Sequence, residues 1–445
     1  MNTNFSTGKP IRNIFLFALP IMASALMQFG YGIVNNIIVG RFVSTEALAA
    51  VGSVNPINSF IIGTSLGLTT GFTIPVAQRF GAKSYKEMNH YAGNSIALSA
   101  LVGLTVLVAA QLVSLPLLRL INTPEDIIGL SASYINILYL AVPFQVLYNA
   151  FAGIARAVGD SRRPLWFLLI AIICNILLTL LFVAHFGWGV RGAAVATFIS
   201  QGLSCACAGV YVFRFNPDLQ IKKSDLRLKR KTAAKQLKLG VPMSLQFTIT
   251  SMGSMVLQRA VNGFGSSAVA AITAANKAEN ITNIPMSGLG VATATFAAQN
   301  YGAKQYRRIV QAVRKIFVLN IGISVACSLI LVTFGGRFVT LFIAGPNAEL
   351  MRMANQYLFA TALCYSLVSV LFTLRNALQG LGFTYANMVA GAAEFFGRIA
   401  VAFVLTPLFG FAGVCFAGPV AWLLADAALL VIYLRKERYL LRPHK

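Results

Sequence analysis

Apolar residues run along this chain in long blocks rather than alternating with polar ones at a strand period. The first block covers residues 14–40. Others follow at about 47–78, 92–117, 131–155, 164–184 and 190–213. A polar stretch over 214–238 intervenes, and six more blocks lie at about 236–262, 267–299, 312–333, 350–375, 384–407 and 411–434. A membrane-crossing helix needs about 20 apolar residues, and hydrocarbon admits only helices or closed barrels. The pattern predicts an all-α polytopic membrane protein with twelve transmembrane helices. The first block exceeds the apolar core of a secretory signal, about 7 to 15 residues, and reads as the first membrane helix.

Composition narrows this further. Of 445 residues, 57% are hydrophobic and 11% charged, against about 25% charged in soluble domains, which excludes a soluble globular enzyme. The net charge of +24 has a topological reading. Sorted by alternate loops, 28 of the 36 basic residues fall on one side, Arg375 among them, and 5 on the other; Arg259, Lys277 and Arg398 lie within helices. Basic loops stay cytoplasmic, so both termini are expected in the cytoplasm, as an even number of crossings requires. A nucleic-acid partner would need a basic, aromatic-interleaved face on a soluble module, and no stretch is long enough to form one. The six cysteines, Cys174, Cys205, Cys207, Cys327, Cys364 and Cys415, all lie in apolar blocks without a CxxC pair and read as core residues. His90, His185 and His444 sit in loops or the tail, so a zinc site or a catalytic triad has almost nothing to be built from. There is no phosphate-binding G-x-x-x-x-G-K-[ST] motif. No cofactor is expected, and no ATP hydrolysis.

The second half repeats the first. Residues 46–83 and 267–304 align without a gap, matching Ala47 with Ala268, Asn55 with Asn276, Gly67 with Gly288, Gln78 with Gln299, and ending in a shared Gly-Ala-Lys. Leu19-Pro20 corresponds to Val241-Pro242, and Gly159 to Gly382. With six crossings each, the halves form parallel repeats about an axis along the membrane normal. Two pseudo-symmetric six-helix bundles with a cleft between them follow: an N-terminal lobe over 1–213, a basic cytoplasmic linker over 214–235, a C-terminal lobe over 236–434 and a cytoplasmic tail over 435–445.

Polar groups inside a membrane face a bundle interior or a wet cavity, and helical spacing shows which share a face. In the second crossing Asn55, Asn58 and Ser59 sit at i, i+3 and i+4. The equivalent helix of the second half carries Asn276, Glu279, Asn280, Asn283 and Ser287 on one stripe. Gln28, Tyr31 and Asn35 add to this from the first crossing, Gln145, Tyr148 and Asn149 from the fourth, and Gln258 from the seventh. Interhelical hydrogen bonding, about 0.6 kcal/mol each, is the alternative for any one of them. A stripe mirrored between halves argues for a substrate cavity.

The embedded charges divide. Glu394 and Arg398 stand at i, i+4 in the favourable order and read as a structural ion pair. Asp426 lies near the cytoplasmic end of its helix, within reach of water. Glu279 lies about 12 residues, roughly 18 Å, into its helix, near the bilayer middle. Lys277 at i−2 points off its face, though it can neutralise Glu279 across a helix interface. Glu279 is the candidate ion-coupling carboxylate.

Eight stretches together resemble the multidrug and toxic compound extrusion (MATE) transporters over nearly the whole chain: NNIIVGRF with ALAAVG, AQRFGAK, RAVGDSRRP, GWGVRGAAVATFISQ, AANKAENITNIPMSGLG, AQNYGAK, RNALQGLG and EFFGRI. The resemblance implies two six-helix lobes and export of organic cations or other amphipathic drugs across the bacterial cytoplasmic membrane, driven by entry of sodium or protons. A monomer is expected. One departure stands out: where many members have an aspartate in the first helix, this chain has Asn35. An amide cannot titrate near neutral pH, yet its oxygen can ligate sodium. Lys277 and Glu279 match the K-x-E motif that one branch carries in the eighth helix, so the ion-coupling set comprises Glu279, Lys277 and Asn35. A lipid-linked oligosaccharide flippase of the same superfamily is the second reading; the embedded charges sum to zero, leaving the sign of the cavity open.

Overall fold

The computed structural model describes residues 4–120, 123–340 and 348–442; the last residues of the chain, His444 included, lie outside the described set. Its described elements are helical. In the first half these are α1 (Pro10–Phe42), α2 (Thr45–Gly81), α3 (Tyr85–Leu120), α4 (Glu125–Leu140), α5 (Val142–Ala157), α6 (Arg162–Thr179) and α7 (Gly189–Val210). The second half has α8 (Arg230–Asn262), α9 (Ser266–Gly302), α10 (Tyr306–Thr340), α11 (Ala348–Leu363), α12 (Tyr365–Gly380) and α13 (Tyr385–Ala400), then the short α14 (Thr406–Phe409) and α15 (Phe411–Cys415), and α16 (Ala417–Leu441). Eight helices are long and apolar enough to cross a membrane, or ten with the bent pairs α4–α5 and α11–α12 counted as one span each. The remaining two, α8 and α9, have 33 and 37 residues and carry the polar stripes. These make up the twelve crossings. Large apolar side chains such as Leu112, Val318 and Phe403, 74%, 70% and 72% exposed, face outward, as lipid contact allows.

The duplication reappears in local detail. α1 and α8 are both 33 residues long, and α2 and α9 both 37. The fourth crossing of each half is broken, by 42° at Ala141 and by 53° at Cys364. Pro143, which cannot donate to the helix ladder, stands beside the first break; no proline stands at the second. α6 and α13 each run on into a π-helical stretch, Leu180–His185 and Val401–Leu405. Both copies of Gly-Ala-Lys close a helix with the lysine left-handed (Lys83 φ 55°, Lys304 φ 59°). There the amides of Ser84 and Gln305 reach back to Arg79 O and Asn300 O, the arrangement that satisfies terminal carbonyls.

The chain folds into two compact units, one of Met1–Asn4 with Ala23–Ser244, the other of Phe5–Met22 with Leu245–Lys445. The divisions fall inside α1 and α8, each two residues after a matched proline, Pro20 or Pro242. The expected boundary at 214–235 differs from this, because the first part of α8 packs with unit 1. α2 and α8 touch there through glycines. A Cβ on Gly67 would lie 2.7 Å from Ser244 Cα, and one on Gly71 would overlap the Gly240 backbone. Gln236 of α8 donates to Phe72 O, Tyr91 O and Ser95 Oγ. Unit 2 repeats the crossing with Gly288 against Met22. Phe5 seals it, packing on Phe17 and Phe296 and bonding to Gln299 and Asn300.

The basic connection is docked. Asn94 of α3 holds Asp225 O, Arg227 O and the Lys229 amide, and His90 lies 3.8 Å from Asp225. α8 already begins at Arg230, and α16 continues to Leu441, into what was expected to be tail.

Candidate functional site

Each unit holds its own polar interior. In unit 1 the inner faces of α1, α2, the broken α4–α5 pair, α6 and α7 surround a cavity of about 380 Å³. Tyr31 and Asn35 enter from α1, Asn55 and Asn58 from α2, and Tyr148 and Asn149 from α5. Gln28 and Gln145 complete the set expected from the first, second and fourth crossings. The sequence reading missed the opposite wall: Tyr134, Asn175, Thr197, Ser200 and Gln201. Thr197, Ser200 and Gln201 stand at i, i+3 and i+4, the spacing that singled out the other stripes. Asn175 is 2% exposed and is held by donation to Ser200 and Thr197, while Thr179 donates to its carbonyl. The Tyr148 hydroxyl is fixed by donation to Pro164 O at 3.0 Å. The side-chain oxygen of Asn35 is buried with no hydrogen-bond partner.

In unit 2 the α9 stripe meets α11 and α12. Glu279 is 9% exposed. Asn283, one turn on, donates to one carboxylate oxygen at 3.5 Å, and the Tyr357 hydroxyl from α11 reaches the other at 3.3 Å. Tyr357 also reaches Asn276 at 2.9 Å. One hydroxyl proton therefore serves two acceptors. Tyr365 of α12 donates to Asn283 at 3.0 Å and lies 2.6 Å from Thr282, whose hydroxyl is bound to Glu279 O. Asn276, Glu279 and Asn283 are thus brought together. Asn280 is exposed and takes no part in these bonds, and Gln258 is exposed near the end of α8, where it donates to Asn262. Lys277 is half-buried on the adjoining face. Tyr357 and Tyr365 were not expected; both lie in blocks that read as apolar, where a tyrosine passes for packing. Asn35 belongs to unit 1, and Glu279 and Lys277 to unit 2, so the expected ion-coupling residues are divided between units.

The expected Glu394–Arg398 pair needs correction. Arg398 lies 3.7 Å from Glu394, but the closer partner is Arg375 of α12, assigned above to a cytoplasmic position. Arg375 is 13% exposed and Glu394 4% by side chain, so this arginine is interior. Arg398 spends its other nitrogen on Thr250 O and Ser254 of α8, at 2.7 and 3.0 Å. Asp426 does not reach water either: it is 6% exposed and both carboxylate oxygens are buried without hydrogen-bond partners. Among the described residues no cluster of three or more His, Cys, Asp or Glu could hold a metal.

Each unit of this duplicated chain thus has a polar interior of its own. The MatE family model matches residues 20–181 and 242–426, most of both halves. The chain belongs to the MATE family. Similar proteins include "Probable multidrug resistance protein YoeA" of Bacillus subtilis, 30% identical over 403 residues, spanning 89% of this chain and 87% of that one. "Multidrug export protein MepA" of Staphylococcus aureus is 25% identical over 438 residues, covering 98% and 96%. A solved structure described as the outward-facing conformation of a multidrug resistance MATE transporter superposes with a TM-score of 0.91 at 22% identity, over 98% of this chain and 97% of that one.

Proposed function

We propose that this MATE protein is an ion-coupled antiporter that exports amphipathic compounds across the bacterial cytoplasmic membrane by alternating access, with both termini cytoplasmic and the monomer as the working unit. It acts as a transporter and not as an enzyme. The Glu279 cluster carries this reading. A buried carboxylate held by the Asn283 amide and the Tyr357 hydroxyl can take a proton, or a hard monovalent cation such as sodium through its own oxygens. The shared proton of Tyr357 adds a mechanism. With a cation on Glu279, the hydroxyl turns to Asn276; with the site empty, it turns to the carboxylate. Coupling requires the ion to bind the two access states with different affinity, and a shell that rearranges on occupancy supplies such a difference.

The cavity of unit 1 is the substrate site in this reading. Its volume lies in the range of small-molecule pockets, about 300 to 1,000 Å³, and its walls combine amides with tyrosine faces. The test is uptake into proteoliposomes with sodium and pH gradients imposed separately. One gradient should drive accumulation and its collapse should stop it. ATP-driven accumulation without a gradient would overturn the reading.

A further inference from the structure

The cavity of unit 1 is polar without being charged. Nine of its lining side chains are amides and three are tyrosines; none is Asp, Glu, Lys, Arg or His. The chain explains the absence of acids. All seven acidic residues between Ala23 and Ser244 lie in connections or within the first three residues of a helix, and none of them lines the cavity. The nearby charge is of the opposite kind. Along α5 the charge next after Tyr148 is Arg156, two turns on.

Such a wall discriminates by charge. An organic cation entering it gives up hydration and gains no counter-ion, which costs several kcal/mol for a buried unpaired charge. Tyrosine faces return only about 0.5 to 2 kcal/mol by cation–π attraction. The wall discriminates by hydrogen bonding as well. Every amide offers donors and acceptors at once, and a purely apolar guest would leave them unpaired on entry, at about 1–3 kcal/mol per group. Asn35 lines the cavity, and its side-chain oxygen is buried without a hydrogen-bond partner.

We infer that the unit 1 cavity selects uncharged amphipaths carrying several hydroxyl or amide groups, and discriminates against organic cations. This deepens the exporter reading by naming the substrate class, and rests on it for the identity of the cavity. Asn35 is the specificity-determining position: an aspartate there would supply the missing counter-charge.

Equilibrium dialysis with the full chain in lipid nanodiscs tests this. Chloramphenicol is uncharged and bears two hydroxyls and an amide; tetraphenylphosphonium is a lipophilic cation with no hydrogen-bonding group. Chloramphenicol should bind at one saturable site, at least about tenfold tighter than the cation. Asn35→Asp, and independently Asn58→Asp, should invert that order. Tighter binding of tetraphenylphosphonium to the wild type, binding of neither probe, or an order unchanged in both variants would overturn the inference. The measurement needs no gradient, so a failure of ion coupling leaves it intact, and the converse also holds.

Discussion

Arg375 of α12 closes on the carboxylate of Glu394 in α13, and Arg398, one turn further along α13, stands 3.7 Å from that carboxylate's other oxygen. One buried acid thus carries two arginines. Because Arg398 also bonds to α8, the group ties α8, α12 and α13 together. Asp426 on α16 is a further buried acid, without a hydrogen-bond partner at either carboxylate oxygen.

Removing Glu394 strands two buried cations. Breaking a buried pair costs about 3–5 kcal/mol, so Glu394→Gln should lower folded yield and thermal stability in fluorescence-detected size exclusion. Exchanging residues 394 and 398 should not rescue it, because Arg375 would then face an arginine. Exchanging 375 and 394 keeps the closer pair but sets an arginine beside Arg398, so it should restore folded yield only in part. Rescue by the first exchange alone would show that Arg375 is the lesser partner.

At Glu279 the expected effect is on coupling and not on folding. Glu279→Gln keeps size and hydrogen-bonding capacity, so the variant should insert and bind substrate while uphill transport falls to the level of empty liposomes. Wild-type accumulation with unchanged ion dependence would mean that the carboxylate only supports the helix packing.

Tyr357→Phe removes the hydroxyl shared by Asn276 and Glu279. A hydrogen bond to a charged group contributes about 1.5–3 kcal/mol, so the ion concentration giving half-maximal transport should shift by about tenfold or more. Tyr365→Phe, which loses contact with Asn283 and Thr282, should shift it less. Equal and negligible shifts would remove the two tyrosines from the ion site.

The glycine contact of unit 1 leaves no room for a methyl group. Gly71→Ala would press a Cβ into the Gly240 backbone, where neither helix can yield by a side-chain rotation, so expression of folded protein should collapse. Gly32→Ala, with open space around it, is the control and should fold normally.

Orientation is testable by labelling. Cysteine placed at Ser224, exposed in the basic connection, should react with an impermeant maleimide only from the cytoplasmic side. Cysteine at Ser266, exposed at the start of α9, should react only from outside. Reversed labelling would invert the proposed topology.

The stripes were legible in the sequence because amides and acids inside apolar blocks are conspicuous and the helical period says which of them share a face. Asn55 and Asn58, and Asn276, Glu279 and Asn283, came from that alone. Tyrosines escaped it. Tyr357 and Tyr365 look like core residues until another helix presents them to an acid. Arg375 escaped for a related reason: at the end of an apolar block, an arginine reads as a loop residue unless its partner on the next helix is known. The break beside Pro143 had a local signal; the one at Cys364 had none. Nothing in an apolar run says which bundle it packs with, so the division of α1 and α8 had no trace in composition.

That division fixes an order of events during synthesis. Phe5–Met22 leaves the ribosome ahead of the rest of unit 2, and its hydrogen-bond acceptor Gln299 follows 294 residues later, roughly 15 to 60 s at ordinary elongation rates. Unit 1 in turn lacks its last piece until α8 has emerged through Ser244. The nascent chain therefore holds an apolar segment unclaimed while those 294 residues are made, and neither lobe can be finished from its own half of the message. A chain cut within the basic connection should yield two fragments that are each degraded when made alone and that protect one another when made together.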